Sequence, residues 1–443
     1  MPMIIPQELN FTSPSAVPSG TTSMDMNIAS LNQSYSMANG GIVQFELPAK
    51  NGYIVSDTVS LRYKYTITSN GATESKIRCT PCYTFFQKLE TTIGGAQGDI
   101  IHDYNVVQNT LLNSTWNVAQ KNGNAPNYGW RTDNDTTSNL ETQDGRHCEV
   151  NEAGSFSCPL PCMFSNAERY FPIGSTGGAN KIMLTLETLA NSFATTPAIT
   201  ADGALGVVGA VACVQPLEVI LSDMVLSYTM VMLSPEAENE ILSRGPLTIK
   251  TTSFTTSSNN IGINSSGAVD LVYSHRCASL KSLFMVCSSS LGQNGKFDAY
   301  NIWGPQGSIS FNVSGKQIPQ RPLDFSPGAI AMVLTSLKQA VGSIYNNQNN
   351  FSINNGEFFK PLTSPSLATI VSPAKCYVGV NSELLASKSN SVLLSGISTQ
   401  DAPITCRMSL TAPIVSNVSA MLISCYDVII SVDPVTKEVV IRK

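Results

Sequence analysis

The 443-residue sequence is short of charge: Asp, Glu, Lys and Arg make up 13% of it, about half the usual share. Lys and Arg form no cluster, and the net charge is −5. A protein that tracks a phosphate backbone needs grouped cations, so direct nucleic-acid binding is not expected. Long apolar runs are missing too. The longest, "ALGVVGAVACV" at 204–214, is far shorter than a bilayer span. The opening "MPMIIPQELNF" lacks the basic-then-apolar form of a secretory signal, which predicts a protein made in the cytosol. With only three histidines, His102, His147 and His275, little is available for metal or acid–base chemistry.

What remains is a chain that is 42% hydrophobic and rich in Ser, Thr, Asn and Gly, enough for a packed core and suited to all-β domains with long polar loops. Its length predicts two domains of roughly 200 residues. The stretch "FFQKLETTIGG" at 85–95 places Leu89, Thr91 and Ile93 on one side and Lys88, Glu90 and Thr92 on the other, then stops at a glycine pair. That is a half-buried strand ending in a tight turn. A helix is predicted over 104–116, where Val106, Val107, Leu111 and Leu112 have helical spacing, followed by a polar surface loop over 121–155. The segment "LEVILSDMVLSYTMVML" at 217–233 is long enough for two strands or one bent strand. In "SPEAENEILSRGP" at 234–246, Ser234 as cap, Pro235 and first-turn acids mark a helix that Gly245-Pro246 ends.

The same grammar then returns. "ISFNVSG" at 309–315 alternates and breaks at glycine, a helix is predicted over 325–345, and a polar loop "NNQNNFSINNGEFF" leads back to strands. Strand, glycine turn, helix, polar loop and strands thus occur once per half, an internal duplication with almost no identity between the copies.

These features together resemble the double jelly-roll major capsid proteins of double-stranded DNA viruses, a lineage that includes large DNA viruses, virophages and polinton-like viruses. The resemblance is carried by "FFQKLETTIGGAQGDIIHDYNVVQNTL", "PLPCMFSNAERYFPIGSTGGANKIMLTLETLA", "LSDMVLSYTMVMLSPEAENEIL" and "VYSHRCASLKSLFMVCSS" in this order, and it spans about 25–443. It implies an all-β chain of two tandem eight-stranded jelly rolls with short inserted helices. The parts would be an extended arm (1–25), a first jelly roll (26–233), a linker helix (234–246) and a second jelly roll (247–443). It further implies homotrimeric, pseudo-hexameric capsomers tiling an icosahedral virion shell assembled in the host cytoplasm or nucleus. The partners would be the chain itself, neighbouring capsomers and minor capsid or vertex proteins. The loop over 121–155 would face outward, and the termini would face inward, where an internal membrane could meet them.

Candidate sites are weighed against plainer readings. "CTPC" (Cys79, Cys82) has redox or zinc spacing, but no thioredoxin-like context surrounds it, and a four-cysteine site would need Cys158 and Cys162 from "CPLPC". Two unrelated thiols is the favoured reading. Cys213, Cys287, Cys376, Cys406 and Cys425 sit among strand-like neighbours and read as small buried hydrophobes in a reduced compartment. His102 beside Asp103 and His147 beside Cys148 accompany no nucleophile motif, and "TIGGAQG" lacks the Gly-Lys-Ser/Thr of a phosphate loop. No catalytic, cofactor or metal site is expected. Eight N-x-Ser/Thr sequons (Asn10, Asn32, Asn113, Asn134, Asn264, Asn312, Asn350, Asn417) leave glycosylation open. The helix over 325–345 suits core packing or a trimer contact equally, and the tail "VTKEVVIRK" reads as a solvated end. The competing functions are a secreted two-domain β-sandwich adhesin, which would bring a signal and disulfides, and a carbohydrate-active β-sandwich enzyme, which would need a paired-carboxylate cleft.

Overall fold

The computed structural model describes residues 20–69, 75–129, 145–148, 151–194, 214–289, 295–326, 328–342, 353, 358, 375–384 and 394–443. In the first half, one sheet has the order β1 (Thr22–Ala29), β13 (Glu218–Met232), β5 (Ser60–Thr68), β10 (Ala153–Pro159), with short β2 (Ser34–Ser36) and β4 (Tyr53–Ile54) also on β13. The other has the order β3 (Ile42–Leu47), β11 (Asn180–Leu186), β7 (Phe86–Ile93), β8 (Ala96–Ile101). A small third sheet joins β12 (Phe193–Ala194), β6 (Ser75–Arg78) and β9 (Gly145–Cys148). β5 shows why the two larger sheets pack face to face. Leu61, Tyr63, Tyr65 and Ile67 are buried while Arg62, Lys64 and Thr66 are exposed, and Tyr63 meets Phe86 of the opposite sheet edge-on at 5.5 Å.

The second half repeats this plan. One sheet has the order β14 (Leu247–Ile261), β21 (Val418–Val432), β16 (Leu280–Ser289), β19 (Val378–Asn381), with β22 (Val439–Arg442) added to β21. The other has the order β15 (Gly267–Tyr273), β20 (Ile404–Leu410), β17 (Ser308–Val313), β18 (Lys316–Asp324). Counting the eight strands of these two orders along each half, both barrels have the sheet orders 1-8-3-6 and 2-7-4-5. This is the jelly roll, present twice. The turn after β7 uses Gly94 and Gly95 (φ 56° and 84°), and the turn after β17 uses Ser314 and Gly315 (φ 49° and 77°). Two successive positive φ values in a two-residue hairpin match the twist of the strands they join.

The helices are α1 (Pro81–Thr84), α2 (Tyr104–Thr115), α3 (Val118–Tyr128), α4 (Leu189–Ser192), α5 (Pro235–Ser243) and α6 (Ile330–Gly342). α2 and α6 occupy the same place in the two barrels, between the fifth and sixth strands. The Ser234 hydroxyl caps α5 by accepting from the Ala237 amide at 3.4 Å. Among the described residues, no helix is long and apolar enough to cross a membrane.

Four expectations change, and one open choice is decided. Each glycine turn leads into a second hairpin strand, β8 or β18, before the helix. Gly98 and Asp99 in β8, and Pro319 and Pro322 in the edge strand β18, hide the strand pattern. The segment at 217–233 is one strand, β13, bent where its register with β5 shifts between Ser222 and Val225 and Asp223 takes φ 50°. The polar stretch after 121 begins inside α3, with Lys121 only 1% exposed, and its end is β10; residues 130–144 lie outside the described residues. The tail is no loose end: β22 pairs with β21, Val439 and Ile441 pack on the core, and Lys443 Nζ donates to the Gly98 carbonyl. β1 begins at Thr22, within the segment expected to be an arm.

Candidate functional site at the junction of the two barrels

The densest buried polar chemistry lies where the two halves meet. α2 is buried from Tyr104 to Ser114, an unusual fate for a helix with six polar side chains in that span. The reason is a stripe at i, i+4, i+8. Asn105 Nδ2 donates to the Thr84 carbonyl (3.2 Å) and to Glu187 (3.0 Å). Asn109 Nδ2 crosses to the second half, donating to the Phe297 carbonyl (3.2 Å) and the Tyr377 hydroxyl (3.4 Å). Asn113 Nδ2 donates to Asn109 Oδ1 (3.0 Å) and Tyr377 (3.1 Å), and its own oxygen accepts from Lys121 Nζ at 2.7 Å. Leaving any of these buried groups unmatched would cost about 1–3 kcal/mol.

A second set of bonds fastens β14 to the first barrel. The Asp99 carboxylate, fully buried, accepts from the Met163 amide (2.7 Å), Thr91 (3.2 Å) and Ser253 of β14. Burial pushes this carboxyl above its ordinary range, and the three hydrogen bonds and nearby Lys443 pull against that. Thr251 donates to the Met163 carbonyl (3.0 Å), Thr256 to the His102 carbonyl (2.9 Å), and Asn166 to the Thr252 carbonyl (3.2 Å).

Ion pairs complete the junction. Lys296 of the second half reaches Glu187 and Asp103 of the first, the latter at 3.2 Å. Burial alone would raise the Glu187 carboxyl; the Lys296 ammonium, with bonds from Asn191 and the Thr188 amide, holds it below the usual range instead. Glu168 of the first half pairs with Lys250 (3.4 Å), which lies 3.5 Å from buried Asp427; Lys281 lies 3.7 Å from Asp427 and 3.8 Å from Glu383. Asp427 also accepts from Ser279 (2.7 Å) and the Ser395 amide (3.2 Å). Such networks fix geometry more than they add stability.

Of the residues singled out in the sequence, Cys82 and Cys158 come together as neighbouring buried thiols, and among the described residues no third candidate ligand joins them. Cys79 donates to Asn109 Oδ1 at 2.6 Å, whereas Cys82 is raised by burial and by its neighbour Cys158. Cys162 takes a weak bond from Ser165 and is pushed up to about 12 by burial and then by Asp99. Raised thiols are poor ligands and nucleophiles. Cys287, Cys376, Cys406 and Cys425 are buried free thiols, and Cys213 lies outside the described residues. His102 is exposed in the first half, and His147 falls in β9 opposite Lys76. His275 is buried in the second barrel between Ser257 (Nε2, 2.7 Å) and Ser424 (Nδ1, 2.6 Å), and burial lowers it to about 4. Among the described residues, no three His, Cys, Asp or Glu side chains gather to hold a metal ion. Of the sequons, Asn113 is buried in the junction, which leaves no room for a glycan; Asn32, Asn264, Asn312 and Asn417 are exposed, and Asn10, Asn134 and Asn350 lie outside the described residues. The sequence reading missed the Asn105–Asn109–Asn113 stripe, whose only signal is a four-residue spacing that the apolar pattern of the helix masks.

No protein-family model matches the chain, and no curated protein matches it in sequence. Solved structures match its fold along nearly the whole length. A chain of the PBCV-1 virus capsid has a TM-score of 0.58 at 11% identity, covering 95% of this chain and 97% of that one. The Faustovirus major capsid protein gives 0.57 at 8%, covering 95% and 92%. The mavirus major capsid protein gives 0.51 at 11%, covering 99% and 95%. The chain therefore has the double jelly-roll fold. It is similar in architecture, from end to end, to the major capsid proteins of Faustovirus and mavirus.

Proposed function

We propose that this chain is the major capsid protein of a DNA virus, assembling as a homotrimer whose six barrels form a pseudo-hexameric tile of an icosahedral shell. The observation that carries this reading is the exact repeat of one strand order in two barrels joined by a buried polar junction. A tile with near-sixfold outline from three chains needs two equivalent blocks held at a fixed angle, and the Asn109, Asp99 and Lys296 contacts supply such a joint. The end-to-end likeness to capsid chains supports it. The domains follow the barrels, with α5 as the linker. The protein works as a structural component of the virion, not as an enzyme. Its partners are further copies of itself, neighbouring capsomers and minor capsid or vertex proteins, and its termini face the shell's interior, where a membrane could lie.

The test is native mass by light scattering across a dilution series. A species of three times the 47.3 kDa chain that persists on dilution is the expected result. A monomer at all concentrations would sink the capsomer reading and bring the adhesin reading forward.

A further inference from the structure

At the base of the seam, beneath α5, lies a cleft of about 450 Å³ lined by Tyr53, Arg169, Tyr170, Val231, Leu233 and Ile241, among others. Its size is that of a site that encloses several side chains. Three features say what should fill it. The walls are mainly apolar, and Tyr170 is left 55% exposed. The Tyr53 hydroxyl is buried there without a hydrogen-bond partner among the described residues, a deficit worth correcting. Arg169 is exposed at the rim and has no carboxylate partner among the described residues, whereas Arg244 is already paired with Glu240 at 2.6 Å.

The chain outside the described residues ends beside this cleft. Gly20 lies against Ser234, 3.5 Å from the point a Cβ would occupy to the Ser234 Cβ, and Thr22 of β1 pairs with Met232, one residue before the cleft residue Leu233. The 19 residues before Gly20 carry a single charged side chain, Glu8, preceded by the apolar run Met3-Ile4-Ile5. Ile5 is fifteen residues from Gly20, a tether of up to about 50 Å, and Pro14, Ser15 and Pro18 give it the composition of a reversing turn.

We propose that the chain's own N-terminal segment docks in this cleft, with Ile4 and Ile5 against Val231, Leu233 and Ile241, and with Glu8 answering Arg169 and the Tyr53 hydroxyl. A tethered segment meets its site at an effective concentration in the millimolar range for short linkers, so the chain's own copy outcompetes a neighbour's. This inference stands apart from the capsid reading, because cleft and segment belong to one chain.

The test places a photoreactive benzoylphenylalanine at position 5 of the full chain, in place of Ile5. Illumination should give an adduct that stays at monomer mass on a denaturing gel and maps to peptides holding Tyr170, Leu233 or Ile241. The yield should fall by about tenfold or more with Ile241→Glu, which puts an unpaired carboxylate in the apolar wall. It should fall again in the separate Arg169→Glu variant, an exposed change that leaves the fold intact and repels Glu8. An adduct at twice the monomer mass, one mapping elsewhere, or none from a chain with wild-type circular dichroism would overturn the proposal.

Discussion

The two barrels share a strand order, a hairpin turn and a helix insertion point, but they pack differently. The first is packed around rings: Tyr65 stacks on Phe156 at 4.8 Å, and Tyr63 meets Phe86 and Phe156 edge-on at 5.5 and 5.3 Å. The second buries Phe254, Tyr273, Phe284 and Phe311 together with Leu283, Met285, Cys287, Cys406 and Met408, and its stacked pair, Trp303 on Phe325 at 4.4 Å, lies beside the hairpin of β17 and β18. A jelly roll is therefore specified by alternation and by where hairpins turn, while core volume can be met by different side chains.

The inserted helices differ more. α2 is buried all round and bolts the halves together through asparagines. α6 buries only Val333, Leu337, Ala340 and Val341, against β16 and β19, and leaves Met332 55% exposed. One insertion point thus serves two ends: a joint within the chain, and a face turned away from it.

Breaking the joint should have the largest effect. Lys296→Met leaves Glu187, whose side chain is 0% exposed, buried and unpaired, a loss of about 3–5 kcal/mol. Urea unfolding should show it, with the two barrels melting in separate steps, and adding Glu187→Leu should recover most of the loss. A loss below about 1 kcal/mol would mean that this ion pair does not hold the halves together.

The next effect belongs to the second barrel alone. His275 is held neutral between two serines, at about 4 against an ordinary 6.5. The folded barrel binds fewer protons there than the unfolded chain, so its contribution is complete above pH 6.5 and lost as the pH falls toward 4. The loss amounts to about 3 kcal/mol. Urea midpoints followed from pH 7 to 4 should fall less steeply in His275→Gln, and an unchanged slope would remove His275 as the cause.

Much of the architecture was legible in the sequence because it rests on local rules. The strand at 85–95, the helix at 104, the cap at Ser234 and the repeated glycine turn each follow from spacing and backbone conformation. The strands β8, β18 and β22 were not, since their glycines, prolines and charges become acceptable only once a neighbouring strand is in place. The junction was hidden for a related reason. Asp99 and Glu187 resemble solvated charges in a linear chain, and only the meeting of residues more than a hundred positions apart, Glu187 with Lys296 and Asp99 with Ser253, reveals why they are buried.

The smallest expected change sharpens the contrast between the helices. Met332 touches solvent on α6, so Met332→Glu should alter the unfolding free energy of the isolated chain by no more than about 0.5 kcal/mol. If the outer face of α6 lies between chains in the capsomer, the same carboxylate is buried against a partner on assembly, where an unpaired charge is costly. Light scattering of the variant should then show the mass moving from three chains toward one on dilution, at concentrations where the parent stays assembled. A variant that keeps both its stability and its mass would return α6 to the single task of covering β16 and β19, and the trimer contact would have to be sought on the edge strands β3 and β15, which correspond in the two barrels and leave Ile42 and Val272 53% and 57% exposed.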